Sequence, residues 1–183
     1  MGAPVDRHQV HARWLRFSKQ PRLDLLVMPG VIANILVAIL AAMLLVAATG
    51  DFRSRTIPNW LNASIALSAI PFWWMTGLAL WPEVAVQVAV AAAVLLLFAL
   101  AFHFGAMGGG DVKMVAALAL WLPPGAVLKL LVIMSLAGGA LTLAMLVRHK
   151  MTKSQGQLEI PYGAAIAFGG LWLISERYLN QFG

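Results

Sequence analysis

The stretch that carries most of the chemistry in this chain is Gly105-Ala-Met-Gly108-Gly-Gly110-Asp111-Val-Lys113, a glycine-rich turn that ends in an acid and a base. Apolar sequence lies on both sides, Val84–Phe104 before it and Val112–Leu122 after it. A charged side chain at bilayer depth is costly and marks a functional site by default. Non-helical backbone there survives only where protein or a water-filled cavity satisfies its polar groups. A second acid, Asp51, stands at the end of an earlier apolar run, in Gly50-Asp51-Phe-Arg53-Ser-Arg55-Thr-Ile57-Pro58-Asn59. If two such carboxylates approach, they cannot both ionise cheaply and share a proton. The ionised one then takes a proton from water while the neutral one polarises a peptide carbonyl, which is aspartic-protease chemistry.

Each acid also has an ordinary structural reading. Gly-Asp followed by Val-Lys-Met-Val-Ala-Ala is a common helix start, with Asp111 as N-cap. Asp51 alone reads as a loop acid paired with Arg53 or Arg55. Other chemistries are excluded by spacing. A P-loop needs Lys and Ser or Thr after Gly110, where Asp111-Val112 stands, and a dinucleotide fingerprint would need glycine at Lys113. The chain has no cysteine, which excludes a disulfide framework and a thiolate zinc site. No His and carboxylate cluster has ligand spacing, so no metal and no other cofactor is expected.

The elements that must position these residues are membrane helices. The 183 residues are 61% hydrophobic and 11% charged, and several apolar runs approach the length needed to span a bilayer. The composition predicts an all-α polytopic membrane protein with six transmembrane helices: Pro29–Thr49, Trp60–Leu80, Val84–Phe104, Val112–Leu122, Val127–Val147, and a last one that follows Ile160-Pro161-Tyr162-Gly163 and ends near Tyr178. The fourth, short helix reaches roughly 16 Å at 1.5 Å per residue, about half of a hydrocarbon core, before Pro123-Pro124 stops it. Ser135-x-x-x-Gly139 and Gly138-x-x-x-Thr142 allow close packing of the fifth helix. Asn34 and Gln87 are expected to bridge neighbouring helices. His103 reads as an interfacial helix-end residue and His149 as solvated in a basic loop, Arg148–Glu159.

The net charge of +6 reads as an orientation signal and not as a nucleic-acid footprint. Arg53, Arg55, Lys113, Arg148, Lys150 and Lys153 would lie on one face. Against them stand Arg177 and the five basic residues Arg7, Arg13, Arg16, Lys19 and Arg22, so the count is level. The domain reading is a basic extension over 1–28 and a membrane domain over 29–180. Translation from Met28, directly before the first helix, would restore a clear bias and make the six-charge face cytoplasmic.

Three segments in order resemble the type IV prepilin peptidases, Gly-x-Gly-Asp aspartic proteases of the bacterial inner membrane. They are Asp51 through Ile57-Pro58-Asn59, Gly108-Gly-Gly110-Asp111-Val-Lys113, and Ile160-Pro161-Tyr162-Gly163 leading into a helix rich in small residues. The resemblance implies removal of a short basic leader from prepilins, just before their hydrophobic helix and near the cytoplasmic face. Asp51 and Asp111 would be the catalytic pair. Lys113 would support the site, its alternative being a cation that snorkels to the interface. Gly108, Gly110, Pro58, Asn59, Pro161, Tyr162 and Gly163 would shape it. Long members of that family carry a cysteine-paired cytoplasmic domain and N-methylate their product. This chain resembles the short form associated with Flp (tight-adherence) pili, which implies a peptidase without methyltransferase activity.

Two other classes compete with this reading. A small transporter would also use a broken helix with a buried acid, although no matching break recurs in two halves of the chain. A structural subunit of a secretion or pilus assembly would use both acids only as caps.

Overall fold

The computed structural model describes residues 23–152 and 161–179. Residues 1–22, which include most of the expected basic extension, and 153–160, which include Lys153 and Ile160, lie outside the described residues. Six α-helices and no strand occur among the described residues: α1 (Leu23–Ser54), α2 (Asn59–Met75), α3 (Ala85–His103), α4 (Gly109–Ala119), α5 (Pro124–Thr152) and α6 (Tyr162–Leu179), with a π turn over Leu80–Val84 leading into α3. Three segments are long and apolar enough to cross a membrane: Met28–Ser54, Leu80–His103 and Pro124–Met151. The protein is therefore an all-α membrane protein, and α2, α4 and α6 are its shorter members.

Several boundaries differ from those read in the sequence, each for a physical reason. The first helix does not begin at Pro29; it already runs from Leu23, with Pro29 inside it. Nor does it stop at Thr49. The backbone continues through Gly50 and Asp51, and the Ser54 hydroxyl donates back to the Gly50 carbonyl at 2.9 Å. Arg55 then closes the helix in a left-handed conformation, φ 55°, and its N–H reaches the Asp51 carbonyl at 3.1 Å. Asp51 is thus a helical residue and not part of a loop. The second helix ends at Met75, short of Leu80, because Gly77 turns the chain at φ 70°. The fourth starts at Gly109, so Gly108 is its N-cap and Asp111 lies inside its first turn. The fifth extends to Thr152, which places Arg148, His149 and Lys150 on a helix and not in a loop.

The short helix α4 is the centre of the bundle. Every residue from Asp111 to Ala119 except Lys113 is buried, and α4 packs against α2, α3 and α6. Around it, α1 packs on α2 and α6, and α5 on α6. Without a hydrophobic drive between helices in lipid, such contacts depend on close packing and on polar ties. Two tryptophans supply ties at the far end of α4. Trp73 Nε1 donates to the Leu120 carbonyl at 2.9 Å and Trp121 Nε1 to the Ile65 carbonyl at 2.8 Å. Gly138 of α5 faces the Tyr162 ring, where an added Cβ would lie 3.4 Å away, whereas Gly139 faces open space. Of the two small-residue pairs on α5, then, the one containing Gly138 is the one in a helix contact.

Candidate active site

The position of Asp51 follows from the periodicity of α1. Ala33, Val37, Leu40, Leu44 and Ala47 are the buried residues of that helix, spaced four or three apart as one face requires. The next step along the same stripe is Asp51, which is 4% exposed. An acid that would face water in a loop is turned into the bundle because the helix does not stop. Asp111, 8% exposed, is buried for a different reason: it opens the innermost helix.

The two carboxylates meet at Gly163. A Cβ built on that glycine would lie 2.9 Å from Asp111 Oδ1 and 3.0 Å from Asp51 Oδ2. Both oxygens are therefore within 3.0 Å of one point and separated by at most twice that distance. Any side chain at 163 would occupy the space between them, so the close approach of α6 requires glycine here.

Helix ends set the electrostatics of the pair. Ala164 is the third residue of α6, and its N–H, which has no partner within the helix, donates to Asp51 Oδ2 at 3.0 Å. Asp111 is the third residue of α4. The positive ends of two helix dipoles thus converge on the pair and offset part of the cost of holding negative charge there. Asp51 itself lies in the last turn of α1, whose negative end opposes part of that gain.

Ile57 wedges the elements apart and in register. It is buried at 7% exposure, its Cδ1 is 2.6 Å from the Cβ position of Gly163, and its Cβ is 3.3 Å from that of Gly110. Pro58, exposed, caps α2 and accepts from the N–H groups of Leu61 and Asn62 at 3.1 and 3.4 Å. Asn62, buried, donates from Nδ2 to the Gly110 carbonyl at 3.0 Å, fixing the backbone one residue before Asp111. Gly108 lies under Asp111, its Cβ position 3.0 Å from Oδ2. Pro161 is fully buried and Tyr162 half-buried against α5.

Lys113 is not drawn to the carboxylates. Two residues along a helix is a turn of about 200°; Lys113 is exposed, and its Nζ donates to Asn59 Oδ1 at 2.8 Å. His103 is exposed at the end of α3 beside Phe104. Gln87 is buried, but its Oε1 makes no hydrogen bond, so it does not form the expected bridge through that atom. No cluster of His, Cys, Asp or Glu suited to a metal occurs among the described residues.

Three contributors escape the sequence reading. Ile57 stood inside a recognised segment without a role. Asn62 carried a signal, as a second asparagine one turn after Asn59 on a mostly apolar helix. Ala164 acts through its backbone and carried none, beyond being third in a helix introduced by Pro161.

The arrangement brings two buried carboxylates close enough to act together on one water molecule. Residues 38–143 match the model of the type IV leader peptidase family. No curated protein and no solved structure gives a significant match.

Proposed function

The chain belongs to the type IV leader peptidase family, and on that premise we propose that it is a membrane-embedded aspartic endopeptidase that removes the leader from prepilins, with Asp51 and Asp111 as its catalytic pair. The observation that supports the aspartic assignment is the approach of both carboxylates to one side of Gly163, each within 3.0 Å of its Cβ position. In the resting pair one carboxyl keeps a proton and the other is ionised, because two adjacent charges in a poorly solvated site repel. The ionised group takes a proton from a water molecule as its oxygen adds to the scissile carbonyl carbon. The neutral group donates a hydrogen bond to the carbonyl oxygen, where charge develops. Collapse of the tetrahedral intermediate breaks the C–N bond. The proton held by the pair passes to the departing amine, leaving a carboxylic acid on the leader and a free amine on the pilin.

The substrates are prepilins and pseudopilins of the Flp type, with a short basic leader and a hydrophobic helix. The site faces the cytoplasm at the bacterial inner membrane. Release without N-methylation is supported by the short connection between α1 and α2, Arg55–Pro58, which leaves no room for an inserted domain.

Membranes containing Asp51→Asn or Asp111→Asn, incubated with a prepilin, test the pair. Each substitution keeps shape and hydrogen bonding, and each is expected to lower processing by at least about a hundredfold, the scale of a lost general acid or base. Normal processing by either variant would remove the proposal. Mass spectrometry of the product should find an unmethylated N-terminus.

A further inference from the structure

The start of α4 is glycine-rich because two of its residues have little room for a side chain. A Cβ at Gly108 would lie 3.0 Å from Asp111 Oδ2, and one at Gly110 would lie 3.3 Å from Ile57 Cβ. Gly109 is different: its Cβ would meet the Phe102 ring at 3.4 Å, an ordinary contact. A run of glycines makes a weak helix start, since each loses more chain entropy on folding than alanine does. The N-cap, Gly108, also brings no side-chain cap. Asp111 therefore stands on the least rigid turn of a buried helix, although its chemistry requires a fixed distance to its partner.

Asn62 supplies a tie that the glycines cannot. From the buried face of α2 it reaches α4, and its Nδ2 donates to the Gly110 carbonyl at 3.0 Å. That carbonyl and the Asp111 N–H belong to one peptide plane. The bond thus fixes the direction in which the Asp111 side chain leaves the backbone. Each acid is then held from a neighbouring helix, Asp51 by the Ala164 amide at 3.0 Å and Asp111 through the Gly110 carbonyl. Asn59, one turn earlier on α2, makes a second bridge, to Lys113. That bridge is exposed, and water competes for both its groups.

For the fold alone, Asn62 is a destabilising choice. It is 4% exposed, and its Oδ1 accepts no hydrogen bond among the described residues. A buried acceptor left unmade costs stability. The Gly110 carbonyl does not depend on Asn62 for a partner, because within α4 it also accepts from Met114, four residues on. Leucine, of similar shape, would remove the unmade acceptor and orphan nothing.

We propose that Asn62 is the positioning residue for Asp111: by holding the Gly110–Asp111 peptide it sets the separation of the two carboxylates. The inference rests on the peptidase reading and deepens it. Asn62 acts through Asp111, and so on the chemical step and not on substrate binding.

Full-length Asn62→Leu protein, purified in detergent, is assayed on a prepilin beside the unmodified protein. Its kcat should fall about tenfold, part of the roughly hundredfold that a 1 Å misplacement costs, with KM within about twofold. The melting temperature should be equal or higher, because the unmade acceptor is gone. The pH profile of kcat should narrow from both sides, since acids that share a proton titrate further apart than separated ones. Gly109→Ala, added to Asn62→Leu, should restore kcat about threefold by stiffening the turn at the position that has room. An unchanged kcat would overturn the proposal. So would a lower kcat with a lower melting temperature and an unchanged pH profile, which is what a packing residue gives. Cleavage by the unmodified protein is the reference throughout, whereas the peptidase reading itself stands or falls on the aspartate variants.

Discussion

Ile57 and Gly163 approach so closely that a methyl group on the glycine would lie 2.6 Å from Ile57 Cδ1. That methyl would also stand between the two carboxylates. Gly163→Ala should therefore abolish processing while the protein remains helical and membrane-inserted. A displacement of about 1 Å in a catalytic group can cost about a hundredfold in rate, whereas overpacking costs about 1–3 kcal/mol of stability. Prepilin processing and circular dichroism of the purified variant separate the two effects. Normal processing would show that the acids do not need this gap.

Gly110→Ala should be the milder lesion. Its Cβ would meet Ile57 Cβ, O and N at 3.3 to 3.5 Å, longer than the contacts at Gly163, so the backbone at Ile57 has to give by only a few tenths of an ångström. Processing should fall, yet stay well above that of Gly163→Ala in the same assay. The reverse order would mean that the Ile57–Gly110 contact governs the site.

Lys113→Met and Asn59→Ala should raise KM with little change in kcat. The lysine points to Asn59 and not to the acids, so its loss should affect substrate binding more than the chemical step. Steady-state kinetics on a prepilin in detergent would check this; a fall in kcat with unchanged KM would place Lys113 in the reaction instead.

Trp121→Phe removes the hydrogen bond to the Ile65 carbonyl at the end of α4 remote from the carboxylates. It should lower stability by about 0.5–1.5 kcal/mol, the net worth of a typical hydrogen bond, and leave processing intact. Thermal denaturation in detergent reads the first and the prepilin assay the second.

Much of this architecture was legible in the sequence because apolar runs and proline or glycine stops are local signals. Six helices and a short fourth one follow from them, as does the glycine turn before Asp111. Helix ends were less legible. Gly50-Asp51-Phe-Arg53-Ser looks like a connector, yet the stripe through Leu44 and Ala47 continues into Asp51 once the helix is extended by one turn. The acid's burial was thus written in a periodicity that a premature stop concealed. The centrality of α4 was not legible at all, since which helix lies innermost depends on contacts between segments distant in the chain. Of the site-shaping residues, Gly163 stood out by resemblance alone. Its position between the acids, the wedge of Ile57 and the donor from Ala164 required the fold.

The amide that steadies Asp51 belongs to α6, and the region matched to the family ends at residue 143, before that helix begins. A fragment cut at that boundary would retain both aspartates and still be chemically crippled. One acid would lose its donor, and both carboxylates would lose the Gly163 backbone that packs over them. The pair is completed by α6, so a truncation beyond the matched region is as damaging as a substitution within it.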